Sequence, residues 1–155
     1  MYSVLKLIHV VAVMLFMGNI VTGVFWKMHA DESHDPRIIA HALEGLIRSD
    51  RWFTIPAIVV LTLAGIATAV VGHLPLLHTP WIWQSLVLFS LAGVMFGVWL
   101  APLQKQLFKM ARAAAAGEPM DWDRYRALSR QWGWWGAWAT LAPAGAVVLM
   151  ITKPG

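Results

Sequence analysis

Four stretches of about 20 residues in this 155-residue chain contain no Asp or Glu. They run over residues 4–26, 53–72, 81–103 and 133–151, and each reads as an apolar helix. At about 1.5 Å per residue, each crosses the roughly 30 Å of hydrocarbon in a bilayer. All 8 carboxylates fall in two segments, Asp31 to Asp50 and Glu118 to Asp123. With 59% hydrophobic and only 13% charged residues, the chain cannot cover a water-facing surface, since soluble domains carry about 25% charge. The fold class that follows is all-α: a four-helix bundle in the membrane, one transmembrane domain over 1–155. There is no Cys, which excludes thiolate metal sites and cysteine nucleophiles.

The connections differ. His73 to Pro80 carries no Lys, Arg, Asp or Glu and two prolines, so it reads as a tight turn. The other two are long and charged. In the first, Asp35-Pro36 has the form of a helix start, followed by Ile38, Ile39, Ala42, Leu43, Leu46 and Ile47 at helical spacing. This predicts an amphipathic helix along the membrane surface or against the bundle. In the second, the third span continues as an exposed helix through Gln104, Lys105 and Lys109 to Ala116. Glu118-Pro119 is then followed by Trp122, Tyr125 and Leu128 at similar spacing. Asp50-Arg51 reads as an interfacial charge pair.

Lys and Arg set the orientation. Ten of the 12 lie in or beside the long connections, and only Lys6 and Lys153 lie on the opposite side. The positive-inside rule therefore places the connections in the cytoplasm and both termini outside. This pattern predicts a multi-pass membrane protein, with the lipid bilayer as its partner. The net charge of +4 follows from that asymmetry, and no nucleic-acid recognition pattern accompanies it. The halves repeat faintly: Phe25-Trp26-Lys27-Met28 parallels Leu107-Phe108-Lys109-Met110, and Asp35-Pro36 parallels Glu118-Pro119. Small residues that let helices approach recur at Gly93 and Gly97 and at Gly136 and Thr140. These stripes serve packing within one chain or a homo-oligomer.

His9 is the one ionisable residue well inside a span. Such a residue is a functional candidate by default. Its imidazole suits an axial heme ligand; the alternative is a histidine hydrogen-bonded between helices. Lys6, three residues earlier on the same face, is the candidate propionate or polar partner. On the same side of the membrane, only His73 and His78 are available as a second ligand. His29, His34 and His41 lie on the other side, where with Asp31, Glu32 and Asp35 they form at most a loose divalent-metal cluster. Copper, held by His9 with Met14 or Met17, is a further possibility, but one helix cannot turn both residue types to one point.

The segment Tyr2-x-x-x-Lys6-x-x-His9-Val10, with Gly18 beyond it, resembles the opening of two families. The first is a family of predicted integral membrane proteins of unassigned function (domain of unknown function 2269). The similarity includes Gly18-Asn19, Phe25-Trp26-Lys27, Asp50-Arg51, Phe53-Thr54 with Pro56, Thr79-Pro80-Trp81 and Pro102-Leu103-Gln104. The second, more distant, is the HemJ type of protoporphyrinogen oxidase with the related copper-resistance D-like proteins. There the similarity includes Arg124-Tyr125-Arg126 and Lys153-Pro154. In the oxidase family the histidine matching His9 ligates heme, and the resemblance implies that role here. That family's second ligand, a lysine early in the third helix, has no counterpart in Trp81 to Leu86, where Gln84 or Ser85 stands. The leading expectation is a b-type heme on His9 serving electron transfer or a heme-linked oxidation. The alternatives are a non-enzymatic scaffold, assembly subunit or small transporter, and then copper handling.

Overall fold

In the computed structural model, which describes residues 1–154, the chain forms two long helical hairpins. In the first, α1 (Tyr2–Glu32) descends to a three-residue turn, and α2 (Pro36–Ser49) returns through a π-helical turn (Asp50–Thr54) into α3 (Ile55–Val71). In the second, α4 (Pro80–Met95) passes through another π turn (Phe96–Leu100) into α5 (Ala101–Ala115), and α6 (Trp122–Thr152) returns. Four helices are long and apolar enough to cross a membrane. The protein is an all-α, multi-pass integral membrane protein.

The amphipathic segments do not form separate surface helices. Each is continuous with a span, so Pro36–Val71 and Pro80–Ala115 are each 36 residues long. That is about 54 Å, some 20 Å more than the hydrocarbon requires. The excess lies at the end bearing the two charged connections, the connector end. Asp35 caps α2, its carboxylate accepting from the Arg37 N–H at 2.8 Å, with Pro36 in the first turn. Asp121 caps α6 in the same way, accepting from the Arg124 N–H at 3.0 Å. The cap that corresponds to Asp35 is therefore Asp121, and Glu118-Pro119 belongs to the turn before it.

Within each hairpin the arms pack closely, α1 on α3 and α4 on α6. The hairpins join mainly at the connector end, where α2 packs on α5. The largest buried cluster lies there, with Ile39 and Leu43 from α2 against Leu107 and Ala111 from α5. α5 is thus not an exposed extension, because Leu103, Gln104, Leu107 and Ala111 turn inward. Leu43 is wholly buried. Leu43→Ala is expected to cost about 2–5 kcal/mol, read as lowered resistance to unfolding of the detergent-solubilised protein.

The small residues divide into two groups. A side chain at Gly23 would strike Leu46, and one at Gly65 would strike His9, so these glycines allow helices to approach within the chain. Gly136 is buried 3.8 Å from Leu100 when a Cβ is placed on it, so its stripe faces inward. Gly93 and Gly97 meet nothing within 4 Å.

Candidate functional site

His9 lies between α1 and α3. A backbone carbonyl can only accept, so its Nδ1–H donates to the Leu61 carbonyl, at 2.6 Å. The ring rests on Gly65, where a Cβ would lie 2.9 Å from both Nδ1 and Cε1. The hydrogen bond fixes the tautomer and leaves the Nε2 lone pair free. Metal-ligating histidines are oriented in this way, through the second ring nitrogen bonded to a carbonyl or carboxylate. For a heme, the donor chemistry fits on one side of the iron.

The other residues singled out from the sequence do not converge on His9. His73 is exposed and ends α3 in a left-handed conformation, φ 53°. His9 is level with Gly65 and Tyr2 with Gly72, so His73 lies about 12 Å farther along the axis. His78 is exposed in the turn, and Lys6 is exposed on α1. Ser85 is buried with its hydroxyl bonded to the Trp81 carbonyl at 2.6 Å. Met14 is 68% exposed on the outside of α1, while Met17 packs in the Ala12, Phe16 and Leu61 cluster. Among the described residues no three His, Asp or Glu side chains are grouped as a metal site would require. Since His73 serves to terminate a helix, His73→Gly is expected to be tolerated. It removes about 1 kcal/mol of left-handed strain, measured as unchanged or raised thermal stability in detergent.

Two polar networks lie toward the connector end, and the second contains the interhelical hydrogen bond that the isolated Asn19 in the first span predicts. In the first, Lys27 on α1 is 2% exposed. Its Nζ donates to Asp31 Oδ2 at 2.5 Å and also to the Ser129 hydroxyl. Tyr125 OH donates to Asp31 Oδ1 at 2.6 Å, and Ser129 Oγ to Oδ2 at 2.9 Å. The Trp132 ring centroid lies 5.0 Å from the ammonium. This cluster ties α1 of one hairpin to α6 of the other. Lys27 counted as a loop base in the charge asymmetry, yet it is a core residue. The Lys27-x-x-x-Asp31 spacing was the available signal, since residues four apart share a helix face.

In the second network, Asn19 Nδ2 donates to Thr54 Oγ1 at 2.8 Å, and Thr54 Oγ1 donates to Asp50 Oδ1 at 2.9 Å. Gln104 Nε2 donates to Asp50 Oδ2 at 3.0 Å. The chain of bonds runs α1, first π turn, α5, and so spans both hairpins. Asp50 faces inward and Arg51 is exposed, so the charge pair expected at this interface is not formed. Among the described residues no Lys, Arg or His nitrogen lies within 4 Å of the Asp50 carboxylate. Beside it lies a cavity of about 90 Å³ between the hairpins. Asp50 and Thr54 of one π turn and Phe96 and Leu100 of the other line it.

A family model described as "Predicted integral membrane protein (DUF2269)" matches residues 3–154. No curated protein and no solved structure matches the chain.

Proposed function

The chain belongs to this family of integral membrane proteins, and from that premise we propose that it is a bacterial inner-membrane protein that holds a b-type heme on His9 for electron transfer or heme-linked oxidation. The observation that carries this reading is the seat of the imidazole. Nδ1–H is committed to the Leu61 carbonyl at 2.6 Å, so Nε2 is presented as a base. When bound, heme supplies one-electron chemistry, and the protein supplies ligation, orientation and an apolar surround.

What the chain's own residues do is limited and specific. Gly65 lets the Nδ1–Cε1 edge of the ring approach α3, and the Leu61 carbonyl stops it from rotating. His73 and His78 stand apart at the turn, so ligation rests on one imidazole of this chain. The resemblance to the HemJ-type oxidases supports His9 and does not extend to their lysine ligand.

The test is the reduced-minus-oxidised visible spectrum of protein purified in detergent from heme-replete cells. A Soret band and a sharp α band are expected, unchanged by His73→Ala and His78→Ala. A colourless preparation removes the heme reading and favours the scaffold, assembly-subunit or transporter alternative. Metal analysis of the same sample tests copper.

A further inference from the structure

The two π turns face one cavity. π turns are rare and occur frequently at functional sites, because the inserted residue re-aims the side chains around it. This chain has two, in different hairpins, and both contribute walls to the space between them. From one comes Asp50, held through both oxygens by Thr54 and Gln104, with no basic group within 4 Å among the described residues. From the other comes Phe96, and the surrounding helices add Phe16, Phe89 and Trp132. Phe16 and Phe89 meet edge to face across the hairpins at 5.6 Å between centroids. Trp132 is 4% exposed, and its indole N–H is a buried side-chain donor without a partner. Buried donors are ordinarily paired, and this one is left for an acceptor such as a water molecule.

We propose that this inter-hairpin cavity is a binding site for a small alkylammonium cation. One carboxylate lacks a counterion, and three phenylalanine rings, Phe16, Phe89 and Phe96, stand among the aliphatic residues of the remaining wall; a carboxylate with aromatic rings beside it suits an organic ammonium group. An inorganic cation fits poorly. Calcium takes six to eight oxygens, and here the only carboxylate already spends both oxygens on neighbouring donors. The volume of about 90 Å³ matches roughly three waters or one small ammonium headgroup. This site is independent of His9, which lies about two helical turns from Phe16.

The experiment is equilibrium dialysis of radiolabelled butyltrimethylammonium against the full-length protein in a non-ionic detergent. Saturable binding is expected, weakened about tenfold or more by Asp50→Asn, as for loss of a charged partner. Asn keeps groups that can bond Thr54 and Gln104, so the fold is preserved. A second variant guards against misfolding. Gly93 lines the cavity, and a Cβ on it meets nothing within 4 Å, so Gly93→Leu fills the space without a backbone clash. It is expected to abolish binding while thermal stability is maintained or raised. Absence of saturable binding to the folded wild type overturns the proposal, as does equal binding by wild type and Asp50→Asn. Binding that survives in stable Gly93→Leu overturns it too, by placing the cation elsewhere.

Discussion

Asp31→Asn is expected to destabilise the protein by about 3–5 kcal/mol, the cost of stripping a buried charge of its partner. The ammonium of Lys27 is almost completely enclosed, whereas the Asp31 side chain is 25% exposed. Removing the negative charge therefore leaves a cation in the core with only neutral partners, the Ser129 hydroxyl, an amide oxygen and two aromatic faces. Lys27→Met is the milder change. Met has similar length and no charge, and Asp31 keeps donors from Tyr125 and Ser129 and some access to water. The expected order of stability is wild type, then Lys27→Met, then Asp31→Asn. The double variant should recover part of the Asp31→Asn loss, because no charge is then stranded. Unfolding curves in mixed detergent micelles read all four corners of this cycle. If Asp31→Asn is as stable as wild type, Lys27 reaches water and the buried pair is not what joins α1 to α6.

His9→Ala is expected to remove the Soret and α bands completely while leaving the fold intact. The side chain contributes one interhelical hydrogen bond, worth about 1 kcal/mol, but it is the sole imidazole seated inside a span. Soaking the variant in free imidazole should restore part of the spectrum, because truncation leaves a ring-sized space beside Gly65. Rescue of this kind separates ligation from a structural role, which added imidazole would not repair in the visible region. Gly65→Ala provides a graded version. Its Cβ would fall 2.9 Å from the His9 ring, so the imidazole must shift by several tenths of an ångström. Heme affinity should fall about 10- to 100-fold, as when the outer support of a ligating histidine is disturbed. A spectrum identical to wild type in His9→Ala would show that the heme sits on another residue.

The path from sequence to these sites was uneven for physical reasons. The apolar runs marked the four spans because a bilayer demands about 20 uncharged residues wherever it is crossed. The runs stopped short of the true helices. α1 extends to Glu32 and α6 starts at Trp122, because helices projecting beyond the lipid carry charge on one face only. Asp35-Pro36 announced its helix, since a capping acid and a proline act locally. His9 stood out because an isolated polar residue in an apolar run is visible without a structure. Its hydrogen bond to Leu61 was not, since that contact joins residues 52 positions apart.

Asp50 and Gln104 show the limit most clearly. Extrapolating a regular helix through Asp50–Thr54 or Phe96–Leu100 misdirects the residues beyond. A π turn adds one residue and rotates the following face by roughly 100°. Gln104, beside Lys105 in a charged continuation, reads as exposed and is 3% exposed, and Asp50, next to Arg51 in the chain, instead reaches Gln104 of the other hairpin.

The sequence by itself determined that the chain is helical, that it crosses the membrane four times, and that His9 is the one ionisable residue well inside a span. Those properties follow from local composition and from the bilayer's fixed thickness. Only the tertiary structure decided which charges are buried, and that His9 offers Nε2 while Nδ1 is committed. It also showed that Asp50 faces an aromatic-lined cavity without a counterion. These depend on how two hairpins meet, and that is set by side-chain packing and by two single-residue insertions in otherwise regular helices.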